Sequence, residues 1–305
     1  MPSTVAIGVM AHNEEATIAR LLDSILAQTA LHRITRVVVV ASGCTDKTCE
    51  IVEAYCRKDP RISLVVEAER GGKVNAINTF MTSSPESILA ISGGDMVYTP
   101  TTIEALIAPF DDPDVGIVGS HPMPVNETTT FVGFAVNLLW KLHHEISLIV
   151  PKMGELIAFR NVFRGLDPDM LADEVQIERG IKAVGFKPAY APDAIVYNRG
   201  PETVREFVAQ RSRWVAHNLQ VQRKHRYGVS TWNGSTLRRA ALAVWKHDRP
   251  RLDWFLGTAA LEMYCRVRGV LANPTATSKH GRLWEQQAST KDVVRGADPV
   301  PHGVK

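Results

Sequence analysis

Cysteine is scarce in this sequence: 305 residues contain four, Cys44, Cys49, Cys56 and Cys265. No two of them form a Cys-x-x-Cys pair, which excludes a zinc-ribbon site and a disulfide framework. Cys49 and Cys56 stand seven apart, on one face of a predicted helix, and read as reduced core residues of a cytosolic protein. Long apolar runs are missing too. The best candidates, 131–150 and 252–271, are each broken by Lys, Arg, His or Glu, so no membrane-crossing helix is expected. Residues 1–15 have no basic stretch and meet charge at Glu14, unlike a secretory leader. There is no internal repeat. Neither Gly-x-Gly-x-x-Gly nor Gly-x-x-x-x-Gly-Lys-Ser/Thr occurs, which excludes a dinucleotide fingerprint and a P-loop.

What is present is ordinary globular material, 45% apolar and 22% charged, enough for one large domain or two small ones. The net charge of +3 conceals an imbalance. Residues 199–268 carry 14 Lys and Arg against 5 Asp and Glu, while the remainder is acidic. A basic segment suits an anionic partner such as a phosphate group, a membrane surface or a nucleic acid. Solvated helix faces explain the count equally well.

Hydrophobic patterning predicts alternating strands and helices over the first half. The run 5–10, the four valines at 37–40, and the segments 62–66, 88–91 and 115–118 read as strands. Between them lie helical patterns at 16–27, from the Thr45-Asp46 cap through Tyr55, at 74–81 and from near Thr101. This alternation predicts an α/β fold with a doubly wound parallel sheet covered on both faces. After residue 125 the rhythm changes. A helix is expected over 128–149, a strand at 155–159, a helix over 172–183 and two extended pieces at 186–190 and 194–197. Long helices follow over 203–227, 236–246 and 252–271, and composition marks 291–305 as a mobile tail.

Ligands of open α/β sheets bind outside the carboxyl ends of the strands. Here those ends are His12-Asn13-Glu14-Glu15, Ser42-Gly43-Cys44-Thr45-Asp46, Arg70-Gly71-Gly72-Lys73 and Gly93-Gly94-Asp95, with Ala11 before the first, Lys47-Thr48 after the second and Val74-Asn75-Ala76-Ile77-Asn78 after the third. Later come Ala172-Asp173-Glu174 and Gln210-Arg211-Ser212-Arg213-Trp214. In that order, over roughly 4–218, these segments resemble the family 2 glycosyltransferases, inverting enzymes of the GT-A fold. The resemblance implies a Rossmann-like, mostly parallel sheet flanked by helices, with a helical C-terminal extension. It divides the chain into a nucleotide-sugar-binding half at 1–125, an acceptor and catalytic half at 126–228, a helical extension at 229–290 and the tail.

The resemblance also implies roles. A nucleotide diphosphate sugar, linked to UDP, GDP or dTDP, would meet Asn13, Glu14, Ser42, Lys73, Gly94, Asp95 and Arg213. Asp95 would share Mg²⁺ or Mn²⁺ with the diphosphate, since a hard cation takes carboxylate and phosphate oxygens together. Lys73 behind two glycines suits phosphate, and Arg213 suits it through its two-pronged donor fork. Glu174 takes the position of the general base and Asp173 that of its acidic neighbour, with the family's order of acids reversed. Gln210 and Trp214 would shape the acceptor mouth, while His217, one turn past Arg213, reads as structural. Two departures stand out: Ser42 replaces the aspartate that contacts the nucleobase, and Gly93 replaces the first acid of Asp-x-Asp. The acceptor the resemblance implies is a hydroxyl on a small metabolite, glycan or lipid. A polyprenyl-phosphate glycosyltransferase and a non-catalytic nucleotide-binding or scaffold protein of the same fold are the alternatives. The 237–256 region fits a membrane surface, at the inner face, or a homodimer contact; no nucleic-acid partner is expected.

Overall fold

The strand β1 (Val5–Ala11) is buried along its whole length, as a central strand must be when helices cover both faces of its sheet. The computed structural model describes residues 3–170, 172–225 and 234–271. After β1 come α1 (Ile18–Leu26), β2 (Ile34–Ser42), α2 (Thr48–Lys58), β3 (Ile62–Glu67), α3 (Lys73–Ser83), β4 (Ile88–Gly93) and β5 (Val97–Tyr98). Then follow α4 (Thr102–Ile107), β6 (Val115–Pro124), α5 (Phe131–Ile149), β7 (Ile157–Arg160), α6 (Asp173–Ala183) and β8 (Lys187–Asn198). The described chain closes with α7 (Val204–His225), α8 (Gly234–Asp248) and α9 (Leu252–Leu271). Residues 226, 227 and 291–305, for which the sequence predicts a helix end and a tail, lie outside the described residues.

Eight strands form one sheet in the order β3-β2-β1-β4-β7-β6-β8-β5. Period-two alternation builds two cores from it. Val5, Ile7, Val9, Val37 and Val39 face a layer with Ile18, Leu22, Val52 and Ile103 of α1, α2 and α4. Ala6, Met10, Val38 and Val40 face the other layer, where Ile77 and Phe80 of α3 and Ile177 and Ile181 of α6 pack. Gly8 sits under α3, and a Cβ there would lie 2.4 Å from the Phe80 ring. Gly8→Ala is therefore expected to cost about 1–3 kcal/mol by overpacking, read as a lowered denaturant midpoint at unchanged slope.

The sheet is mixed rather than wholly parallel. β7 runs antiparallel to both β4 and β6, and β5 runs antiparallel to β8. The expected strand at 115–118 continues to Pro124, and the two extended pieces at 186–197 are one strand. Their mutual parallel pairing holds both, with an irregularity between Gly119 and His121 that absorbs the Pro192 region. Cys265 is buried, but Cys44, Cys49 and Cys56 are half-buried rather than interior; none is disulfide-bonded. A third apolar cluster joins Val132, Ala135 and Val136 of α5 to Phe207 and Val208 of α7 and Cys265 of α9. Among the described residues no helix is long and apolar enough to cross a membrane.

Candidate active site

Because β1 to β4 are parallel, their carboxyl ends share one edge of the sheet. β7 is antiparallel to β4, so the residues preceding it, Lys152 to Glu155, arrive at that same edge. The N-terminus of α6 and one face of α7 complete the walls. The result is a cavity of about 760 Å³.

The first two strand-end loops brace each other. Thr45 N donates to Asn13 Oδ1 at 2.8 Å, Glu15 N to Asp46 Oδ2 at 3.0 Å, and Glu14 N to Thr48 Oγ1 at 2.7 Å. Asp46 Oδ1 accepts from Thr48 N at 3.0 Å, but the N-cap of α2 is Lys47 and no side chain caps it, so the expected Thr45-Asp46 cap falls one residue early. Asn13 is thus committed to holding a turn and does not line the cavity, while Glu14 does. Gly94 brings the backbone against Glu14; a Cβ there would meet Glu14 Cγ at 2.7 Å. Ser42 lines the cavity, and its hydroxyl accepts from Gly71 N at 3.1 Å. A serine here ties the third strand-end loop to the second.

Lys73, Asp95, Asp173, Glu174, Gln210, Arg213 and Trp214 all line the same cavity. Lys73 opens α3 behind Gly72, whose φ of 86° favours glycine. Its Nζ lies 2.8 Å from Asp173 Oδ2. Burial alone would pull this ammonium down, but the charges of Asp173, Glu174 and Glu155 outweigh it and hold the pKa raised. Glu174 is pushed up to about 7, first by burial and then by the Asp173 charge, against the pull of Lys73 and Lys152. On α7 the neighbouring arginines divide. Arg213 and Arg211 both line the cavity, but Arg211 is held in a fork by Glu262 at 2.8 and 2.9 Å and lies 4.6 Å over the Trp214 ring.

Three contributors escaped sequence reasoning. Glu155, with φ of 23°, is pushed up to about 7 by burial, then by the charges of Asp95 and Glu174. No spacing announced it, because only the antiparallel β7 brings it to this edge. Lys152 is buried at the same place. His217, read as structural, lines the cavity; burial and then Arg213 pull it down to about 4, so it is neutral at neutral pH. Its one-turn spacing from Arg213 was the available signal.

Among the described residues no group of three or more His, Cys, Asp or Glu is arranged to hold a metal ion. Asp95 offers a single carboxylate to the cavity. That donor set fits a hard divalent cation only when the ligand brings further oxygens, as a diphosphate does.

A mostly parallel sheet with a carboxylate- and cation-lined crevice at its strand ends defines the GT-A class. The fold is similar to that of the mannosyltransferase PcManGT from Pyrobaculum calidifontis, solved with GDP-Man and Mn²⁺: TM-score 0.64, 22% identity, 91% of this chain and 90% of that one. Glucosyl-3-phosphoglycerate synthase from Mycobacterium tuberculosis, solved with Mn²⁺, UDP and phosphoglyceric acid, gives 0.51 and 18% identity, covering 72% of this chain and 78% of that one. Residues 6–152, a little under half of the chain, match the model described as Glycosyl transferase family 2. "Probable glycosyltransferase YdaM" of Bacillus subtilis is 21% identical over 233 residues, 71% of this chain and 56% of the relative. An N-acetylglucosaminyltransferase of Rhizobium meliloti is 26% identical over 202 residues, 59% of this chain and 47% of the relative. The chain thus spans about half the length of these curated relatives.

Proposed function

We propose that the protein transfers a sugar from a nucleotide diphosphate sugar to an acceptor hydroxyl by a single displacement with inversion. The acceptor oxygen bonds to the anomeric carbon as the bond from that carbon to the diphosphate breaks, and its electrons leave with the nucleoside diphosphate. The hydroxyl proton passes to the carboxylate of Glu174. The observation that carries this reading is Glu174 itself: a carboxyl raised to about 7 in the cavity shared with Asp95, Lys73 and Arg213. A base poised near neutral pH combines availability with proton affinity.

Asp173 has a different part. Its ion pair with Lys73 fixes the lysine at the cavity wall, and Glu174, which has no such partner in contact, takes the proton. Arg213 meets the diphosphate, and Gln210 and Trp214 flank the acceptor. Mg²⁺ or Mn²⁺, held by Asp95 together with diphosphate oxygens, would offset the negative charge of the leaving group.

A thermal-shift panel of UDP, GDP and dTDP, each with EDTA, Mg²⁺ or Mn²⁺, tests the donor class. One nucleotide at a hundred times its dissociation constant is expected to stabilise the fold by about 2.7 kcal/mol in the presence of metal. No shift with any of them would favour the non-catalytic alternative, which Ser42 and Gly93 motivate.

A further inference from the structure

The cavity does not end at the polar groups. Beyond Gln210 and Trp214 it continues between α5, α7, α8 and α9, where Val136, Leu139, Phe207, Leu237, Phe255 and Met263 line it. Val136 and Phe207 are buried at the inner end, whereas Leu237 and Met263 are 36% and 61% exposed, so this lobe opens to the outside through α8 and α9. Apolar surface continues from the opening along both helices, with Leu242 and Trp245 on α8 and Leu252 and Leu256 on α9 exposed. Arg238, Arg239 and Lys246 of α8 stand exposed beside it.

A second observation lies at the inner end. Lys152 is 9% exposed, lines the cavity, and makes no hydrogen bond or ion pair among the described residues. Burial pulls its ammonium down to about 8; the charges of Glu174 and Glu178 act on it, but no carboxylate is in contact with it, and an anionic ligand group placed against it would offset the cost that remains. Arg211 and Arg266, on the same wall, are already engaged by Glu262.

We infer that the acceptor is a lipid with a phosphate in its head group: the chain lies in the apolar lobe along α5, α8 and α9, and the phosphate meets Lys152. This rests on the transferase reading. It narrows that reading's open acceptor class, because a free sugar or small polar metabolite would leave the lobe unfilled. The exposed apolar and basic residues at the opening are where a lipid passing from an anionic membrane surface would enter.

The test is calorimetric titration of the full chain with dodecyl phosphate, dodecyl maltoside and inorganic phosphate, all below micelle-forming concentrations. Dodecyl phosphate is expected to bind at least about tenfold more tightly than either of the others, since each lacks one of its two contacts. Lys152→Gln should weaken dodecyl phosphate about tenfold and leave dodecyl maltoside unchanged. Ala241→Trp, on the lobe wall of α8, should weaken both amphiphiles and leave nucleoside diphosphate binding intact. Equal affinities for dodecyl phosphate and inorganic phosphate would overturn the inference. So would amphiphile binding untouched by both variants, or a dimer in sedimentation that Ala241→Trp dissociates. Transfer assays then separate the lipid sources, with phosphatidylglycerol in one arm and a prenyl-diphosphate-linked saccharide in the other. Transfer to soluble sugars with no gain from either lipid would sink the lipid acceptor and leave the transferase standing. Absence of nucleotide binding in the thermal-shift panel would sink the transferase itself.

Discussion

Glu174→Gln is expected to bind the nucleoside diphosphate as the wild type does and to lose about 10²–10⁴-fold in kcat. Glutamine keeps the shape and a hydrogen-bonding oxygen but cannot take a proton at neutral pH, so the loss belongs to the chemical step. Titration gives the matching readout. The wild-type rate should rise with pH through about 7, because the carboxyl must be deprotonated to act and burial with Asp173 holds it at that value. Glu178 also pushes this group up, so Glu178→Gln should move the rising limb to lower pH. For stability the sign is opposite. The folded state holds the Glu174 proton more tightly than the unfolded chain, so this carboxyl favours folding at low pH and the contribution is lost as pH rises through about 7. Full activity in Glu174→Gln would transfer the base role to Asp173, and the Lys73 pair would then have to open during turnover.

The second large effect is expected at Asp95. Asp95→Asn removes one negative charge at nearly constant volume, and with it the carboxylate proposed to share a cation with the diphosphate. The metal-dependent part of the nucleotide thermal shift should vanish, leaving the value seen with EDTA. The transfer rate should fall about 10²–10³-fold, as for loss of one pre-aligned charge stabiliser. A variant with the same metal-dependent shift as wild type would remove Asp95 from metal binding. The Gly93-Gly94 context sharpens this test. Where a first acid would stand, this chain has Gly93, whose added Cβ would lie 2.8 Å from Asp95 Oδ1, so the carboxylate folds back over the glycine.

Much of the first half was legible from the sequence. Valine runs such as 37–40 specify strands buried on both faces, and Ile18, Leu21, Leu22 and Ile25 carry the helical period of α1. Less legible were segments whose conformation comes from a distant partner. β5 is two residues long and β7 four, too short for a period to show. Residues 119–124 hold a glycine and two prolines, and only pairing with β8 keeps them extended. The twelve residues of β8 contain two prolines and read as fragments for the same reason.

The candidate site divides along the same line. The family resemblance singled out Lys73, Asp95, Asp173, Glu174 and Arg213, each of which stands at a strand end, a helix start or one helix face. The pairings among them were not readable. Lys73 and Asp173 are a hundred positions apart, and their ion pair exists only because β4, β7 and α6 bring the two helix starts together. Glu155 and Lys152 belong to the cavity through the direction of one short antiparallel strand. Sequence alone therefore determined the order of elements, the two-sided burial of the sheet and the chemical types at its edge, since these follow from short-range periodicity. Tertiary structure decided which acid pairs with Lys73, that Glu174 and Glu155 are raised to about 7, and where the cavity turns apolar, since charge interactions and burial depend on distance in space rather than along the chain.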